Sequence, residues 1–101
     1  MVLLGLDVSH WDKGTKVPLI DWAQASSLFK FAFMKCSEGD YYRDDLFKAQ
    51  WRAAEGHVMR GAYHFFRGAC NAIKQAQLMI EMVGGDWGEL PPVQNAECVE
   101  E

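Results

Sequence analysis

Asn95 and Glu97 stand two residues apart in the closing stretch PPVQNAECVEE, where an apolar run turns polar. In an extended strand such a pair projects from one face, about 6.6–7 Å apart along the chain. A carboxylic acid held there away from water has its pKa pushed up, so it can stay protonated near neutral pH and serve as a general acid. Glu97 is therefore the strongest single candidate for chemistry. Three earlier segments turn polar in the same way: Asp7, Ser9 and His10 end LLGLDVSH, Ser37 and Glu38 close FAFMKCSE, and His64 sits within RGAYHFF. Trp11, Tyr41, Tyr42, Tyr63, Phe65 and Phe66 lie near the same ends and offer flat rings of the kind on which sugars stack. Each polar residue has a plainer reading as a turn cap, a loop start or a hydrogen-bonded core histidine. Their coincidence across four segments points to one site.

Bringing those ends together requires four strands with helices between them. The near-continuous apolar runs at 3–9, 31–37, 60–66 and 91–97 suit strands of a parallel sheet covered on both faces. Between them, PLIDWAQASSLF spaces Ile20, Ala23 and Leu28 as a helix would, with Pro18 at its entrance. DDLFKAQWRAAEGH offers Asp44 as N-cap, Leu46, Phe47, Gln50, Trp51 and Ala54 on one side, and Gly56 as a stop. CNAIKQAQLMIEMVGG repeats the pattern with Ile73, Ala76, Leu78, Ile80 and Met82, ending at Gly84 and Gly85. Strand and helix alternating in this way predict right-handed βαβ units, in an open doubly wound sheet or in part of a β/α barrel. No GxGxxG or GxxxxGK[ST] follows the first strand, which removes support from the nucleotide-binding versions.

Composition narrows the partners. The chain has 101 residues, 50% of them hydrophobic, and a net charge of −4. That describes one core-forming domain, well short of the roughly 250 residues of a whole enzyme barrel. The ten Lys and Arg are scattered, so no nucleic-acid partner is expected. No run approaches the roughly 20 apolar residues of a membrane span, and MVLLGLDVSH lacks the features of a signal peptide. Cys36, Cys70 and Cys98 have no metal-type spacing and read as small apolar thiols, Cys98 being the more exposed. A metal centre drawing on His10 and His64 lacks an HExxH or a close His pair. No metal and no cofactor is expected.

In chain order, GLDVSHW, IDW, FAFMKCSEG, GAYHFF, a helix containing QAQ, and PPVQNAE resemble the N-terminal half of the glycoside hydrolase family 25 lysozymes. The resemblance implies an α/β fold, a partial TIM-barrel-like (β/α) barrel with four parallel strands and three helices, making residues 1–101 the first half of a catalytic domain. It also implies a muramidase that hydrolyses the β-1,4 bond between N-acetylmuramic acid and N-acetylglucosamine of peptidoglycan. The place of action would be the bacterial cell wall, reached by secretion or phage release through a route other than a signal peptide.

By position, Asp7 resembles the family's first-strand acid, Glu38 the acid after the second strand, Tyr63 the tyrosine of the third-strand motif, and Glu97 the proton donor. His10, Trp11 and Phe65 join Tyr63 as implied substrate contacts. The family's fourth strand reads Asp-x-Glu, and Asn95 stands here at the first position. If the sugar's own 2-acetamido oxygen attacks, residue 95 orients that group and Glu97 protonates the leaving oxygen. The family's later strands have no counterpart in these residues. Activity weakened by Asn95 and by the missing strands is therefore expected, with a catalytically inactive glycan-binding fragment as the alternative. Four strands cannot close a barrel, so a second copy or a complementary half is the expected partner for the open edges.

Overall fold

A computed structural model describes residues 3–9 and 20–96. Its elements are β1 (Gly5–Val8), α1 (Trp22–Ala25), β2 (Phe31–Glu38), β3 (Tyr42–Arg43), α2 (Phe47–Ala54), β4 (Met59–Phe65), α3 (Ala72–Val83) and β5 (Val93–Asn95). The sheet runs β1-β2-β4-β5 with every neighbouring pair parallel, and β3 folds back antiparallel on the end of β2. The α/β class, the four parallel strands and the three helices agree with the sequence reading. The two-residue β3 was not anticipated; its turn uses Gly39 at φ 55.

Side chains from the sheet's helix-covered face form the core: Val8, Ala32, Met34, Cys36 and Ala62 pack with Trp22, Phe47, Trp51, Leu78, Met79, Met82 and Val83. Phe47 and Trp51 lie one helical turn apart with ring centroids 5.0 Å apart. Burial pushes the Cys36 thiol up to about 11, so it stays protonated and behaves as a small apolar residue.

The helices depart from expectation in instructive ways. α1 is a single turn, capped by Asp21, whose carboxylate accepts the Gln24 N–H at 3.1 Å. It ends early because the Ser26 and Ser27 hydroxyls donate to the carbonyls of Ala23 and Gln24, competing with helical continuation. Leu28 is consequently exposed, and Trp22 supplies the core contact instead, its indole N–H donating to Gln50 Oε1 at 2.8 Å. Before α2, Asp44 turns the chain by accepting the Leu46 N–H, and Leu46 takes the N-cap position. In α3 the end at Gly84 is as expected and Asn71 caps the start, but the buried face is Gln75, Leu78, Met79, Met82 and Val83. Ile73 and Ile80 lie on the solvent side.

The N-terminal end of β4 is fastened by Arg60, whose side chain is 2% exposed. Its guanidinium donates to Asp86, Glu89 and the Trp51 carbonyl at 2.9–3.3 Å and stacks on the Trp51 ring at 4.6 Å. The Arg60 carbonyl accepts the N–H groups of Glu89 and Leu90, drawing the α3–β5 connection under the sheet. Gly88, at φ 78, lies so close to that carbonyl and the Trp51 ring that a side chain there would collide.

Candidate functional site

The register lines up two levels of side chains on the sheet face opposite the core. Asp7 pairs with Phe33, and Phe33 with Gly61; one step further, Lys35 pairs with Tyr63, and Tyr63 with Val93. Gly61 leaves room for the Phe33 ring, which a Cβ at that position would overlap. Asp7, Phe33, Tyr63, Val93, Gln94 and Asn95 line a groove of about 310 Å³. That lies at the lower end of ligand-binding pockets. Three of the sequence-predicted residues, Asp7, Tyr63 and Asn95, are thereby brought together.

Glu38 and Phe65 belong to a neighbouring cluster at the carboxyl ends of β2 and β4, where they pair with each other. The Glu38 carboxylate receives Lys35 Nζ at 2.6 Å, Arg67 Nε and Nη2 at 2.9 and 2.6 Å, and the Tyr41 hydroxyl at 3.2 Å. Arg67 and Lys35 also stand over the Phe65 ring at 4.6 and 5.4 Å. Phe65 is thus a platform for cations rather than part of the groove lining.

A register shift between Lys35 and Ser37 makes this cluster possible. Residues three apart in a regular strand face opposite ways. The extra residue, Cys36, puts Lys35 and Glu38 on the groove side together and turns Ser37 toward the helices, where its hydroxyl lies 2.7 Å from His64 Nδ1.

Burial alone would raise the Glu38 pKa, but the hydrogen bonds from Lys35 and Arg67 outweigh it and hold the carboxyl below its ordinary value. Glu38 is therefore an anion at neutral pH and an acceptor, unsuited to donating a proton. Asp86 and Glu89 are also held low, chiefly by hydrogen bonds from Arg60. A carboxylate with a depressed folded-state pKa favours folding above its unfolded value, near 4.3 for Glu, and that contribution is lost as pH falls through the folded value. Urea midpoints are accordingly expected to fall on acidification from pH 5 to pH 3, and to fall less in Glu38→Gln, which lacks one of the three carboxylates. An equal fall in both proteins would contradict the role given to Glu38.

Glu97, His10 and Trp11 lie outside the described residues. Of the remaining candidates, His64 is fully buried and belongs to the core side of the sheet, hydrogen-bonded to the side chains of Ser37 and Gln75. Among the described residues no group of three His, Cys, Asp or Glu is placed to hold a metal, and no helix is long and apolar enough to cross a membrane. Sequence reasoning passed over Lys35, Arg67 and Gln75. A lysine inside an apolar strand was the available signal, since a buried ammonium needs a counter-charge.

Residues 6–101 match the profile of Glycosyl hydrolases family 25. The chain belongs to this family. Lysozyme M1 of Streptomyces globisporus is 37% identical over 100 residues, covering 92% of this chain and 32% of that protein. Escherichia coli K12 YegX is 33% identical over 100 residues, covering 92% and 35%. Among solved structures, a family 25 glycosyl hydrolase from Bacillus anthracis superposes with a TM-score of 0.78 at 34% identity, over 92% of this chain and 42% of that one. A muramidase from Acremonium alcalophilum gives 0.75 at 29% identity, over 92% and 45%. This family 25 chain therefore spans about a third of the curated relatives' length and under half of the solved chains. Its parallel sheet with three helices corresponds to part of the family 25 β/α barrel.

Proposed function

We propose that the chain supplies the first four strands of a family 25 muramidase barrel and acts on the glycan strands of bacterial peptidoglycan. The observation that carries this reading is the groove in which Asp7, Tyr63 and Asn95 converge from three strands on the face away from the core. Glu97, two residues beyond Asn95, is the proposed proton donor. Asn95 hydrogen-bonds the sugar's acetamido group, Asp7 supplies negative charge toward the developing cation, and Tyr63, His10 and Trp11 contact the glycan. Glu38 holds the rim through Lys35 and Arg67. The open edges of β1 and β5 are closed by a complementary half or a second copy.

Asp7→Asn is expected to slow the loss of turbidity of a peptidoglycan suspension and the release of reducing ends by about tenfold, the equivalent of one modest electrostatic contact. An unchanged rate would remove Asp7 from the site. A glycan-binding role is the second reading, favoured by the amide at position 95. It predicts retention on cell walls with no reducing ends released.

A further inference from the structure

Ser37, His64 and Gln75 are fully shielded from solvent, and their polar atoms join β2, β4 and α3 in one chain. Ser37 Oγ lies 2.7 Å from His64 Nδ1, and His64 Nε2 lies 2.9 Å from Gln75 Oε1. The Gln75 amide nitrogen donates to the carbonyls of Arg67 and Cys70 at 2.9 and 3.3 Å, which fixes the orientation of the amide. Its oxygen therefore accepts from His64 Nε2–H, and from the Arg67 N–H at 3.0 Å. His64 is left to accept the Ser37 hydroxyl proton at Nδ1.

One α3 side chain thus grips both the N–H and the C=O of Arg67, in the loop that follows β4. From that fixed backbone the Arg67 guanidinium reaches Glu38. The preceding residue, Phe66, donates its N–H to the Asn95 carbonyl at 2.9 Å. Gln75 is the first glutamine of the QAQ segment, and its bonds lead to both the rim cluster and the strand that carries Asn95. A glutamine that merely filled the core would need no such convergence on a single loop residue.

We infer that Gln75 is a positioning residue, which through Arg67 sets where the Glu38 carboxylate and the loop beside Asn95 stand at the mouth of the groove. The inference rests on the muramidase reading only in treating that mouth as part of a substrate site.

The test uses the isotopically labelled 101-residue chain without substrate. Gln75→Met nearly preserves volume and removes the hydrogen bonds that Gln75 makes to His64, Arg67 and Cys70. Exchange of the Arg67 amide hydrogen is expected to quicken about tenfold, the upper range for one lost hydrogen bond. The Arg67 Nε–H signal should leave its hydrogen-bonded position, and the Glu38 titration midpoint should rise toward the ordinary glutamate value. The Trp51 indole signal, at the opposite end of β4, should stay in place. Faster amide exchange with the Arg67 Nε–H and Glu38 signals unmoved would overturn the proposal, leaving Gln75 as core filler. Should Gln75→Met fail to fold, the unaltered chain still decides: an Arg67 amide exchanging as fast as an unprotected loop overturns it, and a protected one supports it. Because no substrate is present, failure of the muramidase reading is detected separately, by the Asp7→Asn lysis assay.

Discussion

Replacing Asn95 with aspartate is expected to raise peptidoglycan hydrolysis by about 10²–10³-fold, the usual worth of an electrostatic partner of the transition state. Asn95 lines the groove with Asp7 and Tyr63, and its backbone is held by Phe66, so a carboxylate of nearly the same shape would occupy the same place. There it would add negative charge where the acetamido group becomes positive. A like charge two residues from Glu97 would also favour the protonated form of that acid. The control is Glu97→Gln in the Asn95→Asp background, which should erase the gain if Glu97 is the proton donor. Initial rates of reducing-end release measure both. A gain that survives Glu97→Gln would reject Glu97 as the acid, and no gain at all would place the defect in the unclosed barrel rather than at residue 95.

The second large effect is on stability. Arg60→Met should destabilise the fold by about 2–3 kcal/mol, because it removes several charge-assisted hydrogen bonds and a stacked cation while retaining much of the apolar stem. Asp86 and Glu89 are 55% and 43% exposed at their side chains, so they can return to water, which keeps the cost below that of stranding buried charges. For a chain of this size the melting temperature should fall by about 10–20 °C. Thermal unfolding followed by circular dichroism reads it directly. A fall below about 3 °C would mean that the α3–β5 connection is held by its backbone bonds to the Arg60 carbonyl alone.

Much of the architecture was legible because parallel strands covered by helices are written as apolar runs, and because Gly84 marks the end of α3 by well-defined cap chemistry. The errors came where apolar residues outnumber buried positions. Ile73 and Ile80 fit a helical stripe, yet the stripe through Leu78, Met79 and Met82 is the one that meets the sheet. α1 was read too long because its two serines bond backward to the chain. Of the residues read from the strand ends, Asp7, Tyr63 and Asn95 line one groove, whereas Glu38 and Phe65 lie in the adjoining cation cluster. Their separation follows from the register shift in β2, which strict alternation cannot express. Gln75, though part of a recognised motif, had no visible task until the loop it grips was in view.

That shift in β2 gives one strand polar contacts of two kinds on opposite faces. Lys35 and Glu38 form an ion pair on the open side, while the Ser37 hydroxyl donates a hydrogen bond to His64 on the dry side, and Cys36 sits between them as a spacer. The two faces are joined through α3, where Gln75 binds both His64 and the Arg67 backbone while Arg67 reaches Glu38, so a change in the interior is felt at the rim. The strand is the point at which the stability of the interior and the shape of the rim are coupled.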